Sequence, residues 1–216
     1  LWQALEHRLD EIAQRAEGNA LVLQLLDRCR GAKQRFIANF DAERELRKRA
    51  GQALAKVSPK DHVDFSPYAR VAHVTDASDW RVELPLVVLY PATEAELAEQ
   101  VRVCRELQLA IIPRGGGTGY TGGAIPLTPR SAVINTEKLD SLSPIQEVAL
   151  PDCDALVPVV EAGAGVVTKA VADLAESAGL VFAVDPTSLD ASTIGGNIAM
   201  NAGAKKSSEE RRVGKE

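Results

Sequence analysis

The sequence predicts an α+β chain in which a helical hairpin precedes an α/β region. Three observations predict it. Apolar residues recur at helical spacing through the first 50 or so positions. A strand, a capped helix and a second strand then follow within about 30 residues of Pro85. Finally, two glycine-rich segments, one around 113–123 and one around 192–203, sit in stretches that contain no carboxylate.

The elements follow in order. Trp2, Leu5, Leu9, Ile12 and Ala16 share one helical face over residues 2–17, and Gly18-Asn19 stops that helix. Residues 20–50 carry Leu21, Leu25, Leu26, Phe36 and Phe40 and read as one long helix or a pair broken at Gly31; the charge run Glu43 to Arg49 reads as a solvated face. Residues 57–81, with Pro59 and Pro67, read as an extended linker holding a short strand near Val71. Leu86 to Tyr90 is a strand between Pro85 and Pro91. Thr93 with Glu96 forms a capping box, and Leu97, Val101 and Cys104 continue the helix's apolar face, so Cys104 belongs to the core. Ile111-Ile112 completes a βαβ unit, expected to be parallel and right-handed. Further strands are expected at Ser131–Asn135, Val157–Glu161 and Leu180–Val184. Residues 140–156 read as a loop, and Val166–Ala178 as a helix stopped by Gly179.

Composition narrows the function. With 45% hydrophobic and 25% charged residues in 216, the chain can build a globular core, which excludes disorder and collagen-like or mucin-like structure. Its net charge of −5 disfavours a dedicated nucleic-acid binder. No run of about 18 uncharged apolar residues is present to span a bilayer. Cys29, Cys104 and Cys153 stand far apart, with no disulfide, zinc or iron–sulfur spacing, and this points to a reducing compartment. Cys153, between two aspartates, lacks a cation to activate it. The first residue is Leu1 and no signal peptide follows, so the chain reads as starting inside a longer protein.

Residues 57–204 hold 9 basic and 19 acidic residues, yet Leu107–Thr136 and Ala191–Ser208 contain no acid. Inside the first stretch lies Pro113-Arg114-Gly115-Gly116-Gly117-Thr118-Gly119-Tyr120-Thr121-Gly122-Gly123, with six glycines in 11 residues. Such a run costs conformational entropy and makes sense where the backbone must pass close to a ligand; successive N–H groups there form a concave nest for an anion. Gly117-x-Gly119-x-x-Gly122 matches the Rossmann fingerprint only as a string. That motif needs a helix starting at the loop, and Pro126 and Pro129 forbid one. A Walker A loop is excluded because no Gly-Lys-Ser/Thr follows. The second segment, Ser192 to Gly203, offers hydroxyls, the amides of Asn197 and Asn201, and Gly195-Gly196. These uncharged groups suit a heteroaromatic edge or a polyol chain.

Taken in order, residues 113–119 with Gly122-Gly123, then Asp185-Pro186-Thr187-Ser188, then Thr193-Ile194-Gly195-Gly196-Asn197-Ile198-Ala199 with Asn201-Ala202-Gly203, resemble the FAD-binding domain of the vanillyl-alcohol oxidase/p-cresol methylhydroxylase (PCMH) type. The nearest branch is the FAD-linked 2-hydroxyacid dehydrogenases acting on D-lactate, D-2-hydroxyglutarate or glycolate. The resemblance spans about 82–204. It implies the first α/β subdomain and part of the second of a PCMH-type domain (82–204); the residues before it read as a helical region (1–56) and a linker (57–81), and those after it as a charged tail (205–216) that reads as non-native. Val71 to Trp80 is similar to a lead-in segment of large bacterial members that also carry an iron–sulfur region.

The resemblance also implies roles. Backbone N–H groups of Gly115, Gly116, Gly117, Thr118 and Gly119 would hold the diphosphate. Arg114 would shape that loop or add charge, and Tyr120, Gly122 and Gly123 would continue it. Pro186, Thr187, Ser192, Thr193, Gly195, Gly196, Asn197, Ala199 and Asn201 would line the ribityl chain and ring. Covalent members carry His where this chain has Thr118, so FAD is expected to be non-covalent. Ala204 departs from the usual Gly. The substrate, a small 2-hydroxy acid, would meet a C-terminal domain outside this chain, where the proton-accepting base would also lie. This piece alone is expected to hold FAD weakly and to be inactive. The expected location is cytoplasmic or at the inner membrane face. His7, His62 and His73 show no metal-ligand spacing. Alternatives are a flavin oxidase of another alcohol or sugar acid, or a non-catalytic nucleotide- or phosphate-binding module.

Overall fold

The computed structural model describes residues 1–149 and 155–202. The chain divides into two compact units, Leu1–Gly51 and Gln52–Glu216. Cys153, Gly203, Ala204 and the 205–216 tail, with the expectations placed on them, lie outside the described residues.

The first unit is the expected hairpin. Helix α1 (Trp2–Arg15) ends where Glu17 and Gly18 take positive φ of 45° and 81°, and the turn they make starts α2 (Ala20–Leu54). Asn19 Oδ1 caps α2 by accepting from the amides of Leu21 and Val22 at 3.1 and 3.3 Å. Gly31 does not break α2: the cost of one glycine, about 1 kcal/mol, is small within an element of 35 residues. The two helices are joined by Arg30, which donates to Glu6 at 2.8 Å and to Asp10 at 2.6 Å, and by the Lys33–Glu6 ion pair. Trp2 and Phe36 rings pack 5.6 Å apart.

The second unit corrects the reading of residues 57–81. Instead of an extended linker, these residues form a 3₁₀ turn (Lys60–His62), strand β1 (Val63–Asp64) and helix α3 (Pro67–Ala72), and Val71 lies in the helix. The start of α3 follows from local chemistry. Ser66 Oγ accepts from Ala69 N at 3.2 Å, and Pro67, with its fixed φ and no N–H to satisfy, occupies the first turn.

The sheet runs β1-β2-β4-β3, with β2 at Val87–Leu89, β3 at Ala110–Arg114 and β4 at Ser131–Asn135. β2 and β3 both pair parallel with β4, whereas β1 pairs antiparallel with β2. The expected parallel βαβ unit is therefore present, through α4 (Glu94–Glu106), but β4 inserts between its two strands. Every residue of β2 and β4 is buried, as parallel strands covered on both faces require. Val88 and Val133 meet Ala69 of α3, with Tyr90 and Ile112 packed around them. The capping box forms with a small change. Glu96 N donates to Thr93 Oγ1 at 3.1 Å, and the Glu96 carboxylate accepts from Ala92 N at 3.0 Å, one residue before the cap. Cys104 is fully buried and its thiol is pushed up to about 11 by that burial, consistent with a core role.

Beyond the sheet, β5 (Gln146–Ala149) and β6 (Leu156–Val159) form an antiparallel pair, so the loop expected over 140–156 is present at 140–145 but is strand at 146–149, with 150–154 outside the described residues. Helix α5 (Thr168–Ser177) ends at Gly179, whose φ is +72°. Residues 180–184, expected as a fifth strand, pair with no strand among the described residues. A short helix, α6 (Ile194–Ala199), is capped by Thr193. No helix among the described residues is long and apolar enough to cross a membrane.

Candidate functional site

Four chain segments, together with His73 at the end of α3, close around a cavity of about 570 Å³. The glycine turn after β3 supplies Arg114, Gly115 and Gly116. The end of β4 and the loop after it supply Asn135, Glu137, Asp140 and Leu142. The turn into α5 supplies Gly165, Val166, Val167 and Ala170, and the lead into α6 supplies Ala191 and Thr193. Backbone bonds tie each segment to the next. Thr136 N donates to Arg114 O (2.9 Å), Gly165 N to Leu139 O (2.8 Å), Ile194 N to Val166 O (2.9 Å) and Gly195 N to Ala164 O (2.9 Å).

The first and last segments also touch directly. A Cβ on Gly115 would overlap Thr193 Oγ1, and one on Gly116 would overlap the Ala191 carbonyl oxygen. Two glycine-bearing segments some 75 residues apart in sequence thus meet because Gly115 and Gly116 carry no side chain where Thr193 and Ala191 press against them. Gly117, at φ +67°, turns the chain over the Arg114 side chain. Among the described residues, none of the amides from Gly115 to Gly119 donates a hydrogen bond within the protein. Five successive free N–H groups in a turn with one positive φ are the donor set an anion needs. The fold after Gly119 has no helix before Ser131, in keeping with the rejection of a Rossmann loop.

The polar end of the cavity is built around His73, one of its lining residues. His73 Nδ1–H donates to Ala69 O at 2.8 Å, so Nε2 is left to accept from Asn135 Nδ2 at 3.0 Å. The same Asn135 amide donates to Glu137 Oε2 at 3.0 Å, and Glu137 N donates to Asn135 Oδ1 at 3.0 Å. Burial pushes the His73 pKa below 6.5, with the nearby Arg114 charge acting in the same direction; the Ala69 hydrogen bond, Glu137 and Asp64 oppose it. His73 thus makes a structural hydrogen bond at the end of α3. Because the folded pKa lies below the unfolded value, the unfolded chain takes up the proton first as pH falls through about 6.5. Stability is therefore expected to be flat above that pH and to fall below it. Urea unfolding midpoints compared at pH 7.5 and 5.5 check this, and His73→Asn should remove part of the slope.

Of the residues singled out from the sequence, Arg114, Gly115, Gly116 and Thr193 line the cavity. Thr118 and Gly119 lie half-buried further along the turn, Tyr120 projects 83% exposed, and Gly122 packs on Trp80 with Gly123 beyond it. Ser192 and Asn197 face inward: Thr168 Oγ1 bonds Ser192 Oγ at 2.8 Å and accepts from Asn197 Nδ2 at 2.6 Å. Gly195 packs on Ala164, and its neighbour Gly196 donates to Thr193 Oγ1 at 3.4 Å. Pro186, Thr187, Ala199 and Asn201 do not line the cavity, and Asn201 takes φ +48° where α6 ends. Sequence reasoning did not single out Asn135, Glu137, Asp140, Gly165 to Val167, Ala170 or Ala191. The one signal for them was Gly163-x-Gly165 before a helix. Among the described residues no group of three His, Cys, Asp or Glu side chains could hold a metal ion.

Residues 85–213, more than half of the chain, match the family described as FAD binding domain. The chain belongs to that family. As a member of the FAD binding domain family it takes FAD as its cofactor, and the amide nest and the close approach of the two segments at Gly115 and Gly116 fit a diphosphate-bearing ligand. The chain is 32% identical over 152 residues to the glycolate oxidase subunit GlcD of Bacillus subtilis, covering 70% of this chain and 30% of that protein. It is 37% identical over 117 residues to the D-lactate dehydrogenase of Archaeoglobus fulgidus, covering 54% of this chain and 24% of that one. The fold is shared with alkyldihydroxyacetonephosphate synthase (TM-score 0.55, 18% identity, 69% of this chain and 31% of that chain). This FAD binding domain thus spans under a third of each of these proteins.

Proposed function

We propose that the chain is the FAD-binding part of an oxidoreductase that oxidises a small 2-hydroxy acid by hydride transfer to FAD. The observation that carries it is the meeting of two glycine-bearing segments on one cavity wall, beside five amides with no hydrogen-bond partner among the described residues. The similarity to a glycolate oxidase subunit and to a D-lactate dehydrogenase supports the substrate class, since glycolate and lactate are both 2-hydroxy acids. In this reading Gly115 to Gly119 bind the diphosphate through backbone N–H groups, and the segment from Pro186 to Asn201 borders the rest of the cofactor. FAD supplies the electron sink, while the protein holds and orients it. Thr118, which cannot form the bond that a histidine makes at that place in covalent relatives, leaves the cofactor non-covalent. The substrate domain and the proton-accepting base belong to parts of the protein outside this chain, and the enzyme works in the cytoplasm.

The test uses the intact protein. It is expected to purify yellow, to release its flavin into the supernatant on acid precipitation, and to bleach anaerobically with glycolate, D-lactate or D-2-hydroxyglutarate. A colourless protein whose unfolding temperature ignores added FAD would sink the proposal. A yellow protein that bleaches only with another alcohol or a sugar acid would move the substrate and keep the flavin.

A further inference from the structure

We propose that Arg114 acts on the cofactor only through the backbone. It is a positioning residue that sets the curvature of Gly115–Gly119 from beneath, anchored by Thr75 and Asp76, and it is not a ligand of the diphosphate. The inference rests on the proposed FAD-binding function. An arginine beside an anion nest would ordinarily be assigned to the anion, and Arg114 does line the cavity.

One end of its guanidinium is committed elsewhere. Arg114 Nη1 donates to Thr75 O at 2.6 Å, 39 residues away in sequence. The guanidinium lies directly under Gly117: a Cβ there would overlap Nη2 and stand 2.6 Å from Cζ. The planar group therefore fills the inside of the turn that the loop must make, and Gly117 is the residue that lets the backbone close over it.

The lead-in segment Thr75–Trp80 completes the brace. Asp76 acts electrostatically on Arg114, while Asp76 Oδ1 accepts from the Ser78 amide and hydroxyl at 2.8 and 2.6 Å. Asp76 Oδ2 is buried; that burial pushes the carboxyl up, but hydrogen bonds from Ser78 and from the Ala124 backbone outweigh it and hold the group below its ordinary range. Ala77 N donates to Gly119 O at 3.2 Å, and the Trp80 ring packs on Gly122. Segment and turn are thus joined at three points, with the Arg114–Thr75 bond at the first. A lysine could not reproduce this, because one ammonium cannot both reach Thr75 O and present a flat face to Gly117.

The decisive variant is Asp76→Asn. If charge near the nest were all that mattered, removing a negative group would tighten an anion. If the brace matters, removing it releases Arg114 and weakens FAD. In the intact protein, FAD dissociation constants are measured for wild type, D76N, R114K and R114Q at two salt concentrations, and the exchange rate of the Ala77 amide is measured without cofactor. The expected result is an affinity loss of about tenfold or more in each variant, no rescue by R114K, an unchanged salt dependence in R114Q, and at least tenfold faster Ala77 exchange in R114Q. Unchanged or tighter FAD binding in D76N, wild-type affinity in R114K, or a weaker salt dependence in R114Q would each overturn it and make Arg114 a phosphate ligand. If wild type takes up no FAD, the functional reading has failed on its own. The brace is then judged by Ala77 alone, and slow exchange retained in R114Q would overturn it.

Discussion

Replacing Gly116 with alanine is expected to separate the two walls of the cavity and abolish tight FAD binding. The added Cβ would overlap the carbonyl oxygen of Ala191 and stand 2.9 Å from its carbonyl carbon. Backbone cannot rotate away as a flexible side chain can, so one of the two segments must shift bodily. Neither is free to do so. The first is held to the end of β4 by Thr136 N and Arg114 O, and the second to the turn before α5 by Ile194 N and Val166 O. The cost should be about 3 kcal/mol, at the upper end for overpacking, because the clash is with main chain on both sides. Urea unfolding reads the stability loss, and flavin content after purification reads the binding loss. Gly119→Ala is the control: nothing lies within 4 Å of its added Cβ and it needs no positive φ, so it should cost little stability.

Thr168→Val is expected to be nearly as damaging, although it keeps the shape of the side chain. Thr168 is fully buried at the start of α5, and its hydroxyl is saturated. It donates to Ser192 O at 3.0 Å and accepts from Ser192 Oγ at 2.8 Å and from Asn197 Nδ2 at 2.6 Å. Valine leaves the Ser192 hydroxyl and the Asn197 amide buried without that partner, at about 1–3 kcal/mol for each group left unsatisfied. A total near 3 kcal/mol is expected in urea unfolding. Adding Ser192→Ala should then cost less than its effect in the wild type, because one orphaned group is removed. The consequence for the site is direct, since Ser192 follows Ala191, the residue on which Gly116 rests. A loosened knot should therefore also weaken FAD, and full flavin content in Thr168→Val would show that the knot does not hold the wall.

Local signals were legible where the chemistry is local. Thr93 with Glu96, the periodic apolar face of α1, and Gly179 after α5 each act within a few residues, and each gave its element. Ser66-Pro67 was an equally good helix start, overlooked because two prolines and several aspartates made the whole stretch read as linker. Strand β1 is two residues long and exists because β2 offers it an edge, which no local pattern announces. Residues 146–149 became a strand because β6 lies beside them. Residues 180–184 look more strand-like, yet they pair with nothing among the described residues, because a strand is defined by its partner and not by its own propensity.

The sequence by itself determined that the chain carries two small-residue turns inside two acid-free stretches, the composition an anion site requires. Glycine content and charge are properties of composition that survive in any arrangement of the chain. Only the tertiary structure decided that Gly115 and Gly116 rest on Thr193 and Ala191, that Ser192 and Asn197 turn inward to Thr168, and that His73, Asn135 and Glu137 finish the cavity. Those contacts join residues up to 78 positions apart. Which side chain faces the hollow and which faces the core is set by how four separate segments pack, a matter on which nearest-neighbour chemistry is silent.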